Sequence, residues 1–277
     1  MGLSLKNRLG ILKRGVLGII QNNFEKLPDI PPEVKKYPIG KSAGGLEINV
    51  CEVGSGPGKV LFLAGTHGNE AGTVKLAHCL VDWLGRKQKE FGNCSFYVIP
   101  CLNPDGYGRA RKNPNYFGGG KIGRFNGNGA DLNRNFPVPS FKSESFWYRG
   151  KNYEESEKVY CGPSGGSEPE TQTLIKFIRE KGIKIIFSFH NVGSDVISNS
   201  DLFAKEVAKV YSEYSGFRLL GPECNYDRDF SGWLGEWCDR QGIAYIELEG
   251  STRWGSDWKR QKKALELSLN YIKDSNC

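Results

Sequence analysis

Lys59-Val60-Leu61-Phe62-Leu63-Ala64-Gly65-Thr66-His67-Gly68-Asn69-Glu70 opens as an apolar run and ends on two groups able to ligate a metal. A short apolar run closed by glycine reads as a strand buried on both faces. Two further runs share its character: Ile183–Phe189 leads straight to His190, and Gly242–Ile246 delivers Glu247. Helical patterns fall between them. The first spans about Glu70 to Leu84, and a second opens at Ser167-Glu168-Pro169-Glu170, a capping-box pattern with Pro in the first turn, and closes at Gly182. A last helix is expected over Trp258–Lys273, with Leu265, Leu269 and Ile272 on one face. Ser95–Leu102 reads as another strand, and Leu46–Val53, which alternates apolar and polar, as an edge strand. Strands alternating with helices predict an α/β fold, a single domain whose mostly parallel mixed twisted sheet is flanked by helices on both faces.

The chain has 277 residues, 38% of them hydrophobic and 25% charged, enough for one sizeable core. Its net charge of +7 is uneven, because residues 1–41 hold eight Lys/Arg against three Asp/Glu. The basic balance therefore gives no footprint for nucleic acid. Residues 1–36 are expected to form a basic amphipathic helix and a Pro-rich linker, with weak membrane-surface contact through residues 1–26 as one reading and docking on the domain as the other. Residues 37–277 are then expected to form the globular domain. No signal peptide is recognised, no CxxC pair occurs among the eight cysteines, and several cysteines sit in apolar segments. A reduced, cytoplasmic protein is expected.

Only three histidines exist, and two of them follow apolar strands. His67 and Glu70 stand three apart where a strand gives way to a helix, so both can reach one ion, and His190 completes the set. Two imidazoles and a carboxylate leave a position for water, the arrangement of a catalytic rather than a structural zinc. The expectation is one Zn2+ per chain and hydrolytic chemistry. His78, mid-helix and without a partner motif, is assigned to packing or surface. Glu247 and Glu249 are two apart on a strand and share a face, so both are candidates for a general base.

Further segments carry a resemblance: Asn103-Pro104-Asp105-Gly106, then Arg111, then Asp131-Leu132-Asn133-Arg134-Asn135-Phe136-Pro137. With His67, Glu70 and His190 they resemble the zinc metallocarboxypeptidase family from about Tyr37 to Tyr271. Within it, Ala64–Glu70, Asn128–Pro137 and Gly166–Leu174 are similar to the murein peptide amidase group, although Glu236 in Gly235-Glu236-Trp237-Cys238 stands where that group has Ser. The resemblance implies zinc on His67, Glu70 and His190, with Glu247 rather than Glu249 as base. It implies an oxyanion role for Arg111, with nearby Arg109 as the alternative, and a substrate carboxylate on Asn133 and Arg134. Tyr226 corresponds loosely to a mobile tyrosine over the substrate. Gly235 and Glu236 fall at the specificity pocket, where a small residue leaves room for a long side chain and Glu236 could pair with an ammonium or be a solvated loop carboxylate. Glu168 and Glu170 are read as helix-start residues.

The implied substrate is a peptide, either murein tripeptide cut at the γ-D-glutamyl–meso-diaminopimelate bond or an ordinary C-terminal peptide cut by a carboxypeptidase. An aspartoacylase-like amidohydrolase shares the segment around His67, but the Asn-Pro-Asp-Gly turn weighs against it. A non-catalytic binding module would be expected to lack a ligand or the base.

Overall fold

The computed structural model describes residues 27–113, 121–149, 155–221 and 231–275. The amphipathic stretch 1–26 and Tyr226 lie outside them. In chain order the strands are β1 (Lys35–Lys41), β2 (Glu47–Val53), β3 (Gly58–Leu63), β4 (Cys94–Ile99), β5 (Glu144–Arg149), β6 (Glu155–Tyr160), β7 (Ile185–Asn191), β8 (Asp195–Ser198), β9 (Arg218–Leu220) and β10 (Ala244–Gly250). The helices are α1 (Ala71–Lys87), α2 (Pro104–Arg111), α3 (Pro169–Lys181), α4 (Leu202–Ser215), α5 (Leu234–Gln241) and α6 (Trp258–Asp274).

Eight strands form one mixed, mostly parallel sheet in the order β1-β2-β4-β3-β7-β10-β8-β9, and β5 and β6 pair separately. The central strands β4, β3, β7 and β10 are mutually parallel. They are buried along their length because helices cover both faces. Val60 and Phe62 of β3 face Leu80 and Leu84 of α1, Val207 of α4 and Leu269 of α6, whereas Leu61 and Leu63 face Leu174 of α3 and Trp237 of α5. Phe62 stacks on Phe187 of the neighbouring strand with ring centroids 5.1 Å apart.

Three differences from the expected elements bear on the site. β2 is not the edge, since β1 pairs antiparallel outside it, and Tyr37 of β1 donates to Glu52 Oε2 at 2.6 Å. The proline stretch ahead of β1 packs on the domain, with Val34 buried and Ile30 against the core. His190 and Glu247 lie within their strands rather than after them, because β10 runs on to Gly250 where β8 pairs with its far side.

The chain passes from β3 to β4 on one side and later returns to β7 on the other. Such a reversal opens a crevice at the carboxyl ends of the strands, where open α/β sheets place ligands. His67 follows β3 and His190 is in β7, so the two flank that crevice.

Candidate metal centre

His67, Glu70 and His190 come together as the sequence predicts: one ligand atom from each lies within 4.8 Å of the others, and all three residues are buried. The turn that presents the first two depends on Gly68, where a Cβ would strike the backbone of Gly106 and Tyr107 in α2. Thr73 secures the same turn, its hydroxyl donating to Glu70 O at 2.8 Å and accepting from Gly65 N–H at 3.1 Å. Glu70 is the N-cap of α1 but makes no side-chain cap bond. Its carboxylate is turned inward instead.

Both imidazoles present Nδ1 to that carboxylate: His67 Nδ1 lies 3.0 Å from Oε1 and His190 Nδ1 3.3 Å from Oε2. Each anchors its other nitrogen outward. His67 Nε2 is 3.0 Å from Asp131 Oδ1, and His190 Nε2 is 3.1 Å from Ser188 Oγ. An outer partner on Nε2 fixes the tautomer and leaves the Nδ1 lone pair for a metal. Asn191 N–H also donates to Glu70 Oε2 at 3.1 Å. Two neutral-capable nitrogens and one carboxylate, dry and convergent, fit zinc with a position left for water. This is the zinc site expected of the motif.

Charge balance around the site is tight. Burial alone would raise the Glu70 carboxyl, but the two imidazoles outweigh it and hold it far below the usual range. Burial likewise opposes the charge on His190, yet Glu247 and Glu70 overcome it and push the imidazole up to about 9. Asp131, fully buried, is held well below its ordinary value: burial opposes this, but Arg124 and His67 prevail. Arg124 bonds Asp131 Oδ2 through Nε at 2.9 Å and Nη2 at 2.7 Å, and its Nη1 lies 3.7 Å from Glu70 Oε1. Its guanidinium sits 4.6 Å from the Trp147 ring centroid.

Glu247 and Glu249 share the site's face of the sheet, opposite Ser188 and His190 in register. Glu247 Oε2 lies 3.9 Å from His190 Nε2 and accepts from Trp233 Nε1 at 3.0 Å and Tyr245 Oη at 2.5 Å. Burial opposes its ionisation, but His190 and these donors hold it below the usual range. Glu249 differs: burial and the Glu70 charge push it up to about 8. Of these two, Glu247 is the one whose surroundings favour the carboxylate at neutral pH.

Asn133 and Arg134 are buried beside this cluster. Asn133 Oδ1 accepts from Leu234 N–H at 3.4 Å, and Arg134 Nη1 donates to Asn133 O at 2.7 Å. Arg111 is exposed at the end of α2, its guanidinium 5.6 Å from the Tyr107 ring centroid, whereas Arg109 is tied to the carbonyls of Phe125 and Asn126. Glu236 accepts from Ser140 and has Arg240 at 3.6 Å. The room beside Gly235 is filled from within the chain by the Trp233 indole, not left open as its small size suggests.

Residues not singled out for the site from the sequence are Asp131, Arg124, Ser188, Trp233 and Tyr245. Asp131 lies inside the quoted Asp131–Pro137 motif and could have been chosen as an acid among amide donors. Arg124 carries no local signal.

Comparison with known proteins follows the same lines. The family model described as zinc carboxypeptidase matches residues 21–217. Murein peptide amidase A of Escherichia coli (strain K12) is 35% identical over 134 residues, 47% of this chain and 48% of that protein. The carboxypeptidase N catalytic chain of Mus musculus is 31% identical over 237 residues, 71% of this chain and 50% of that protein. The chain thus spans about half the length of the curated relatives it matches. Among solved structures, murein-tripeptide amidase from Escherichia coli O157 gives a TM-score of 0.62 at 24% identity, covering 88% of this chain and 93% of that one. Bovine thrombin-activatable fibrinolysis inhibitor, in complex with tick carboxypeptidase inhibitor, gives 0.70 at 19% identity and 96% of both. At such identities the likeness speaks for the fold.

Proposed function

The chain belongs to the zinc carboxypeptidase family, and we propose that it hydrolyses the amide bond next to a carboxylate-bearing terminal residue, the γ-D-glutamyl–meso-diaminopimelate bond of murein peptide first of all. The observation that carries the hydrolytic reading is the convergence of His67, Glu70 and His190, with an ionised Glu247 on the adjacent strand. The relative named murein peptide amidase A supports the choice of bond.

Zinc on this site would lower the pKa of a coordinated water toward ~7 and polarise a carbonyl. The protein's own groups do the rest. Glu247 takes a proton from the attacking water and hands it to the leaving amine. Arg134, supported by Asn133, receives the free carboxylate of the leaving residue, for which a planar guanidinium is suited. Arg111, which among the described residues has no acidic partner, steadies the oxygen on which charge develops. Cys51, Cys101 and Cys238 are free thiols, which supports a reducing compartment and, with it, the cytoplasm.

A second reading, removal of a C-terminal L-residue from ordinary peptides, is favoured by the match to the carboxypeptidase N catalytic chain over 71% of this chain. Zinc-loaded protein is expected to release diaminopimelate from L-Ala-γ-D-Glu-meso-diaminopimelate, and Glu247→Gln to abolish the reaction. Release only of C-terminal L-lysine or L-arginine would move the assignment to carboxypeptidase. Turnover of neither substrate class would sink the hydrolase reading.

A further inference from the structure

We infer that Trp233 and Tyr245 are positioning residues for Glu247, and that Gly235 is glycine to let the Trp233 indole reach it. This rests on the hydrolase reading above, in which Glu247 is the base. The geometry is specific. Both donors, Trp233 Nε1 at 3.0 Å and Tyr245 Oη at 2.5 Å, converge on the same oxygen, Oε2. Oε1 is thereby left to meet the water. The two rings brace each other edge to face, centroids 5.4 Å apart and planes at 86°. Tyr245 is fully buried on β10 two residues before Glu247, so its hydroxyl rises from the same face of the strand.

Trp233 reaches the carboxylate from elsewhere, at the junction before α5. Its indole lies against the first turn of that helix, and a Cβ on Gly235 would overlap three of its ring carbons. The next residue, Leu234, gives its N–H to Asn133 Oδ1. One junction thus sets both the base and the neighbour of Arg134. A carboxylate held by two donors on one oxygen has its remaining lone pairs aimed, and aim matters because a displacement near 1 Å can cost about a hundredfold in rate.

The test is kinetic and spectroscopic, on zinc-loaded full-length protein. Trp233→Phe and Tyr245→Phe are each expected to lower kcat about ten- to a hundredfold with KM and zinc content unchanged. Gly235→Ala should reproduce the Trp233→Phe loss, and the two together should be no worse than either. In 15N-labelled protein, the indole N–H signal lost in Trp233→Phe should shift in Gly235→Ala and in Glu247→Gln, with or without zinc. Should Gly235→Ala not fold, Tyr245→Phe, which removes only a hydroxyl, and Trp233→Phe, which removes the N–H with part of the ring, still decide. Wild-type kcat in both phenylalanine variants, with Glu247→Gln inactive, overturns this assignment alone. So does a Gly235→Ala enzyme that keeps kcat but loses preference between small and long leaving residues, because Gly235 is then substrate space. Turnover by Glu247→Gln removes the hydrolase reading itself and this assignment with it.

Discussion

At Asp131 one carboxylate settles which nitrogen of His67 faces the metal, and it does so while neutralising a buried arginine. Its Oδ1 takes His67 Nε2 and Asn133 N–H, and its Oδ2 takes Arg124. Removing the group has two separable effects. His67 loses the acceptor that fixes its tautomer, which ordinarily costs 10–100-fold in metal affinity. Arg124 is left charged and buried, and breaking such a pair from one side costs about 3–5 kcal/mol. Asp131→Ala is therefore expected to bind zinc about 10–100-fold more weakly in competition with a chelator and to unfold at markedly lower urea. Asp131→Asn should recover part of the stability, since an amide oxygen still accepts from one donor, without recovering full zinc affinity. Equal zinc affinity in all three proteins would show that the imidazole needs no outer partner.

At the scale of an element, α3 starts where the sequence puts it, but its first residues are occupied otherwise than a capping box requires. The N-cap is Glu168 without a side-chain cap bond, and Ser167 donates to Glu168 Oε1 instead. Glu168 and Glu170, both buried, turn together onto Asn126, whose Nδ2 lies 2.7 Å from one carboxylate and 3.0 Å from the other. Asn126 Oδ1 accepts from the N–H groups of Asn128 and Ala130, so this side chain shapes the loop that carries Arg124 and Asp131. Asn126→Ala strands two buried carboxylates without that donor and is expected to cost roughly 2–4 kcal/mol in urea unfolding. Asn126→Asp should cost more at neutral pH, with the deficit shrinking as pH falls, because burial already raises Glu170 and a third carboxylate raises the group further. A loss under 1 kcal/mol in both would refute the clamp. The contrast shows what was legible in the sequence. The runs that became β3, β7 and β10 are unmixed apolar segments, and the scarcity of histidine singled out His67 and His190. By contrast β1 reads Lys-Lys-Tyr-Pro-Ile-Gly-Lys, without alternation, and is held by pairing to β2. Asn126, Asp131 and Trp233 act on partners 14 to 64 residues away, and no local pattern encodes a contact at that range. At Gly235 a small side chain signals room without saying who fills it, and the Trp233 indole that lies there is not encoded in any local pattern.

On the scale of the whole molecule, the sheet gathers Glu70, Asp131, Glu247 and Glu249 around two imidazoles and two buried arginines, and that concentration couples metal, protons and stability. Without metal, His190 is pushed up to about 9 by Glu247 and Glu70 against burial, and Glu249 up to about 8 by burial and Glu70. Both folded values lie above the unfolded ones, near 6.5 and 4.5. The folded metal-free protein therefore binds protons that the unfolded chain releases, and its stability falls as pH rises. The His190 contribution is complete below about 6.5 and is lost as pH climbs through about 9. Zinc needs a neutral imidazole, so its binding must expel that proton, and affinity should increase with pH over the same window. Metal bound to the native state alone also stabilises it. From pH 6.5 to 9, chelator-treated protein is expected to lose Tm steadily while zinc-loaded protein holds its own, so the gap between them widens. Calorimetric titration of zinc at pH 7.5 in two buffers of different ionisation enthalpy should report release of about one proton per ion. A gap that narrows with pH, or uptake without proton release, would mean that His190 is already neutral in the metal-free fold and that its neighbours do not govern it.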